Sequence, residues 1–285
     1  ARTRSIAELK FEDQNLTSYG GLVVFQKLFE VLNLPKRLRD CCRSLEGKGK
    51  RFYNHGKLLQ ILIVHLLIGS RKLREMDFYR EDPIVCEVVG LKHLPSVPTV
   101  SRMLREFDEQ SVSSHRELNR NLILSRIKKT KIKTLTLDFD GSVQSTTRHA
   151  EGTAVGFNKK KKGSRSYYPL FCTVAQSGQV FDFHHRSGNV HDSNGALDFV
   201  QKCVAQVRAS LPKIRIELRL DSAFFSDEMI SGLEELKVEY SISVPFERFA
   251  ELKKKIEKRN FWWSSWGLKE SSSYFEERWK PKSWD

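Results

Sequence analysis

The stretch TLTLDFDGSV (Thr134–Val143) closes an alternating apolar run on two aspartates, Asp138 and Asp140, with Gly141 and Ser142 directly after them. A second alternating run, KIRIELRLDS (Lys213–Ser222), closes on Asp221. Reactive groups in open α/β sheets gather beyond the carboxyl ends of the strands. If these two strands are adjacent and parallel, Asp140 and Asp221 meet at one rim. Such acids suit hard divalent cations, which take oxygen ligands: Mg²⁺, with Mn²⁺ as a substitute. Two ions about 3.5–4 Å apart activate a water or a sugar hydroxyl and stabilise the leaving oxygen of a phosphodiester. An aspartate at a strand end is also a common turn or helix cap. The ordered pair favours the ion site, and Asp138 is a neighbour of secondary weight.

The elements around these acids follow from periodicity. In Thr134–Asp140, Leu135, Leu137 and Phe139 take one strand face; the threonines and both aspartates take the other. YPLFCTVAQSGQVFDFHHRSG (Tyr168–Gly188) holds two β-rich runs around Ser177-Gly178 and predicts a hairpin. A capped helix follows, with Ala196, Phe199, Val200, Cys203, Val204, Val207 and Leu211 on one side. Lys213–Asp221 is the next strand. SDEMISGLEELK (Ser226–Lys237) is a helix with Ser226 as its cap and acids at its positive end, and VEYSISVPF is a last strand. The order over 134–246 is β-β-β-α-β-α-β, with antiparallel neighbours first and parallel crossovers after.

Residues 1–130 read as mostly helical. GLVVFQKLFEVLNLPKRL breaks at Pro35, Leu58–Ile68 is a buried core helix, and SRKLREMDFYRED reads as a polar helix. LPSVPTVSRMLREF starts a helix at Ser96 and Pro98, with Val100, Met103, Leu104 and Phe107 on one face. Arg102 and Arg105 fall off that face. They belong either to an ordinary amphipathic helix or to a helix-turn-helix-like element presenting arginines to DNA.

The chain has 285 residues, a net charge of +14 and a pI near 9.6. That field favours polyanions, nucleic acid above all. The longest apolar run, around Leu58–Gly69, is too short for a membrane span, which needs about 20 residues, and no secretory leader is recognisable. Five cysteines without a CxxC pair point to reduced cytosolic thiols rather than a disulfide framework or a zinc site. NKKKKGSRSYY offers Lys159, Lys160, Lys161, Lys162 and Arg165 as a phosphate-tracking loop, or simply as a solvated one. All five tryptophans lie from Trp262 onward, where packing of a small β segment is favoured over base stacking. His184, His185 and His191 lack a spaced carboxylate partner and read as surface or strand residues.

DFDGS also matches the D-x-D-G-[ST] opening of haloacid-dehalogenase-type phosphatases, which would make Asp138 a nucleophile and Asp140 an acid/base. That reading requires a parallel doubly wound sheet, yet a hairpin follows the motif, and LRLDSAFF is not a paired-acid motif.

TLDFDGSV, EGTAVGFNKKKKGSRSYYPLFCTVAQSGQVFDFHHRSGNVHDSNGA and LRLDSAFFSDEMISGLEELKVEYSISV together resemble bacterial insertion-sequence transposases of the DDE type. LTSYGGLVVFQKL and REDPIVCEVVGLKHLPSVPTVSRMLREF resemble that group's helical N-terminal region. The resemblance is collinear over most of the chain. It implies a helical DNA-binding region over 1–130, a ribonuclease-H-like mixed-sheet core over 131–246, and the start of a β-rich insertion over 247–285. It implies metal-dependent cleavage at insertion-sequence ends and strand transfer into double-stranded target DNA, with Asp140 and Asp221 as catalytic metal ligands for two ions. A homodimer on DNA and a bacterial, nucleoid-associated cytoplasmic location follow from the same resemblance. The family's third acid, a Glu on a later helix, has no match. Glu247, Glu251 and Glu257 come too early, and Glu276 and Glu277 read as strand residues of the insertion. The expectation is that the third acid lies beyond Asp285 and that this stretch alone does not assemble the full site. A truncated or repurposed DNA-binding protein without turnover is the alternative.

Overall fold

The computed structural model describes residues 16–46, 52–146, 149–156, 161–191, 194–259, 263–264, 273–274, 276–282 and 284. The chain divides into two compact units, Ala1–Asn121 and Leu122–Asp285.

The first unit is helical: α1 (Leu22–Val31), α2 (Leu34–Cys41), α3 (His55–Leu67), α4 (Pro83–Val89), α5 (Val97–Leu104) and the first part of α6 (Glu109–Lys129). Pro35 lies in the first turn of α2 rather than breaking a helix, because the chain turns two residues earlier, at Asn33 with φ 48°. The core gathers Leu22, Phe29, Leu38, Leu58, Ile61, Val64, Met76, Tyr79, Val85, Val88 and Val100. The two polar interruptions of the apolar run in α3 are both buried and bonded. The Gln60 amide donates to the Val88 carbonyl at 3.1 Å and accepts from Lys57 Nζ at 3.1 Å. His65 Nδ1 is hydrogen-bonded to the Tyr79 hydroxyl. No helix among the described residues is long and apolar enough to cross a membrane.

The stretch that reads as a polar helix, around Leu73–Phe78, is instead a 3₁₀ turn. Leu73, Met76 and Tyr79 recur every third residue, which suits three residues per turn. The Glu75 carboxylate also takes the amides of Arg71 and Lys72, at 2.8 and 3.1 Å.

The second unit is built on a five-stranded sheet. Its strands are β1 (Thr134–Gly141), β5 (Leu170–Val174), β6 (Gln179–His184), β7 (Arg215–Leu220) and β8 (Glu239–Ile242), in the order β6-β5-β1-β7-β8. The pairs β6-β5 and β5-β1 are antiparallel; β1-β7 and β7-β8 are parallel. This is the mixed ribonuclease-H-like arrangement expected from the element order. Leu135, Leu137 and Phe139 of β1 and Ile216, Leu218 and Leu220 of β7 are buried. They join α7 (Ala196–Ser210), α8 (Asp227–Leu236) and Ile123, Leu124 and Ile127 of α6 in one core. The apolar side of α7 is buried from Ala196 to Val207, and the Phe199 ring meets Phe139 edge-on at 5.8 Å. Ser226 caps α8 by accepting from the Met229 amide at 3.2 Å.

The basic segment after β1 carries strands that sequence periodicity does not reveal. β2 (Gln144–Ser145), β3 (Ala154–Val155) and β4 (Arg165–Tyr167) form a separate three-stranded sheet, ordered β2-β4-β3. The connection after β6 lies directly on it. A Cβ at Gly188 would stand 2.4 Å from Ser166 Oγ, so only glycine fits there.

Past β8, α9 (Ala250–Glu257) precedes a two-stranded pair, β9 (Trp263–Ser264) and β10 (Ser273–Tyr274). The following stretch packs back on the strand-end loop after β7. Phe225 stacks on Trp284 at 4.8 Å and on Trp279 at 6.5 Å, and meets Phe249 edge-on at 5.6 Å. Glu277 lies outside any strand and is paired with Lys255 at 2.8 Å and Arg259 at 3.0 Å. The bond from Lys255 holds its carboxyl below the usual range.

Two expectations follow from these packings. Burial holds the His65 and His115 imidazoles below their ordinary value. The unfolded rings take up protons near pH 6.5, so the unfolded state binds more protons as pH falls below that value. Stability from the neutral buried rings is complete above about pH 6.5 and is lost on acidification. The melting temperature of the wild type should fall between about pH 7 and 5, and His65→Gln with His115→Gln should flatten that fall; an unchanged slope in the double variant refutes it. Separately, Phe225→Ala should lower stability locally by about 2 kcal/mol. The readout is tryptophan emission, which should shift to the red at lower denaturant, while an unaltered midpoint would show that the stack carries no load.

Candidate divalent-ion site at the sheet rim

The rim is set by the pairing of β1 with β7. Their register runs Thr134↔Arg215 through Asp138↔Arg219 to Phe139↔Leu220. Asp140 and Asp221 are therefore the next residues on two adjacent parallel strands, which lie about 4.8 Å apart in a sheet. Asp221 keeps an extended backbone (φ −82°, ψ 178°). By alternation both carboxylates leave the sheet on the side opposite the buried leucines. Both residues are exposed. Asp221 Oδ1 accepts the Ala223 amide at 2.9 Å and caps a 3₁₀ turn over Ser222–Phe224, which fixes the carboxylate at the strand tip.

The rest of that face is an ordered polar surface. The Thr136 hydroxyl donates to Glu217 Oε2 at 2.7 Å. Gln176 reaches in from the β5-β6 turn, donating to the Thr134 carbonyl at 3.2 Å and to Thr136 Oγ1 at 3.1 Å. Arg215 pairs with Glu239 across β7 and β8. Arg219 Nε stands 3.9 Å from both Asp138 Oδ1 and Glu217 Oε1. Asp138 Oδ1 is shielded from solvent and makes no hydrogen bond, so the cross-strand guanidinium is the charge that faces it. An aspartate so placed is poorly set up as a nucleophile. The sheet is also mixed rather than parallel throughout, so nothing here supports the phosphatase reading.

The two rim acids suit a hard cation in donor type, since a Mg²⁺ ion is commonly held by one or two carboxylates plus water and substrate phosphate oxygens. Among the described residues, no group of three or more His, Cys, Asp or Glu side chains could hold a metal. Within those residues the candidate site offers two carboxylates. Glu276 is exposed outside any strand, and Glu277 is engaged by its two cations.

The basic residues separate into groups. Lys159 and Lys160 lie outside the described residues. Lys161 and Lys162 are exposed beside the small sheet. A cavity of about 510 Å³ there is lined by Ser145, Thr146, His149, Lys161, Ser164 and Arg165 among others. Arg165 works within the fold: its Nε donates to Thr153 Oγ1 at 3.0 Å, and its guanidinium also bonds the Thr153 carbonyl. In the other unit, Arg102 and Arg105 are exposed at the end of α5, while Val100 and Met103 are buried. Trp262 and Trp266 lie outside the described residues. Arg219 is the residue that sequence reasoning undervalued. Alternation puts it on the acid face, but only the register pairs it with Asp138.

No curated protein matches the chain. Among solved structures, a Mos1 transposase paired-end complex with left transposon end is 13% identical, covering 74% of this chain and 67% of that one, at a TM-score of 0.28. A piggyBac transposase synaptic complex with hairpin DNA is 11% identical, covering 86% of this chain and 56% of that one, at a TM-score of 0.44. The catalytic domain of Mos1 mariner transposase is 13% identical, covering 52% and 72%, at a TM-score of 0.28. These likenesses are loose. The decisive match is a family model, that of transposase DDE domain group 1, which aligns with residues 2–285. With residues 2–285 matched and two aspartates on adjacent strand ends, the chain belongs to the group 1 transposase DDE-domain family.

Proposed function

We propose that this transposase cleaves and joins DNA at a divalent-ion site whose described ligands are Asp140 and Asp221. The observation that carries the reading is the parallel register of β1 and β7, which brings the two acids to one rim. When bound, a Mg²⁺ or Mn²⁺ pair supplies an activated water or 3′-hydroxyl and charge stabilisation at the leaving oxygen. The chain's own part is to hold both carboxylates on one face. The Ala223 amide orients Asp221, and Arg219 neutralises Asp138 beside Asp140. The substrates are the element's ends and a double-stranded target, drawn by a protein with a net charge of +14. Phosphate contacts fall to Lys159–Lys162 and, from the helical unit, Arg102 and Arg105. Two copies of the chain on DNA, in the bacterial cytoplasm, complete the reading.

A second reading is a DNA-binding module without turnover. One observation favours it: the described residues contain no three-acid metal group. The test measures Mn²⁺ binding by electron paramagnetic resonance, together with binding and nicking of supercoiled plasmid DNA. Asp140→Asn and Asp221→Asn should each weaken Mn²⁺ about tenfold or more and abolish nicking while DNA binding persists. Asp138→Asn should stay within about threefold of wild type. Unchanged Mn²⁺ binding in Asp140→Asn would defeat the proposal, and DNA binding without nicking in the wild type would side with the module.

The lysine loop gives an independent expectation. Each phosphate contact contributes roughly 0.9 to the slope of log affinity against log salt. Replacing Lys159–Lys162 by alanine should flatten that slope by ~3; a slope equal to wild type removes the loop from the interface.

A further inference from the structure

The end of β1 is braced from behind. A Cβ built at Gly141 would lie 2.5 Å from the Tyr168 hydroxyl oxygen and 2.7 Å from its ring carbon Cζ. The phenol is thus packed directly on the Cα that follows Asp140. Gly141 faces the side of the strand opposite Asp140, so the ring supports the backbone without entering the carboxylate's own space. Tyr168 is itself tightly held. Its amide donates to the Arg186 carbonyl at 2.9 Å, and the Arg186 guanidinium lies 5.3 Å from its ring centroid. Arg186 is 5% exposed and anchored by three carbonyls: Nε donates to Tyr168 O at 3.1 Å, and one terminal nitrogen to His191 O at 3.1 Å and Asn194 O at 3.0 Å. The strand end is also tied by the Ser142 amide, which donates to the Pro169 carbonyl at 3.0 Å. A buried cation, an aromatic ring and a glycine form one stack that ends beside Asp140.

We infer that Tyr168 is a positioning residue for the Asp140 carboxylate, acting by fixing the Gly141 backbone, with Arg186 as its support. The inference rests on Asp140 being an ion ligand. Ligand geometry must hold within a fraction of an ångström for a divalent site to keep its affinity, and a glycine strand end has no side chain of its own to hold it. The ring supplies that restraint, and glycine is the residue that leaves it room.

The test is Mn²⁺ affinity by electron paramagnetic resonance on the full chain, with thermal melting followed in parallel. Tyr168→Phe keeps the ring and should bind Mn²⁺ within about twofold of wild type. Tyr168→Ala should bind about tenfold more weakly. Tyr168→Leu, which keeps apolar bulk and should fold even if the alanine variant does not, is expected to show the same loss. Gly141→Ala should weaken binding too, because its methyl group collides with the phenol. In the double variant Gly141→Ala/Tyr168→Ala the collision partner is gone, so the two losses should not add. A merely structural role would lower the melting temperature and leave Mn²⁺ affinity at the wild-type value; that result overturns the inference, as do fully additive losses. Asp140→Asn separates the two levels. If it binds Mn²⁺ like wild type, the ion-site reading itself fails. If it loses Mn²⁺ while Tyr168→Leu does not, only the positioning role fails.

Discussion

Parallel pairing of β1 with β7 is the constraint on which the second unit depends. The two strands are far apart in sequence, and a parallel pair cannot be closed by a tight turn; it needs a crossover. The chain meets this by running the β5-β6 hairpin out from β1 and returning through α7. The return is stabilised by apolar burial, with one side of α7 against Leu135, Leu137 and Phe139. The same alternation that sends these side chains into the core sends Asp138, Asp140, Arg219 and Asp221 the other way. Core and rim are two faces of one decision about register, and a slip of one residue would exchange them.

Loops hold what the strands only aim. Asp221 is oriented by a backbone amide of the turn that follows it, and that turn leads into Phe225, which is clamped by Phe249, Trp279 and Trp284. Asp140 lies next to a glycine backed by Tyr168 and Arg186. Neither acid is supported by its own strand alone. Segments distant in sequence pack against the backbone beside each one.

Much of this architecture was legible in the sequence, for identifiable reasons. Strict alternation in Thr134–Asp140 and Ile214–Asp221 gave both faces, and seven apolar positions on one side gave α7. The local signals were strong because each element is half-buried. Short strands were not legible: β2, β3 and β4 span two or three residues each, too few for any period to register. The turn around Met76 read as a helix because spacings of three belong to both helix types, and only the backbone bonds between residues three apart, such as the Tyr79 amide to the Met76 carbonyl, separate them. Among site residues, Asp140 and Asp221 could be ranked from position, whereas the pairing of Asp138 with Arg219 and the contact of Tyr168 with Gly141 needed a register and a fold.

The polar face of the sheet has an electrostatic consequence. Arg215 offsets Glu239, and Arg219 lies between Asp138 and Glu217. Positive and negative groups are interleaved there, so the surplus of +14 resides elsewhere on the molecule. Two guanidinium groups face three of the neighbouring acids, and Asp140 and Asp221 at the tips of β1 and β7 add two more carboxylates to the same face. A strongly basic chain thereby carries an acid-rich sheet face, so that attraction for a small cation there and attraction for a polyanion elsewhere need not compete for the same patch.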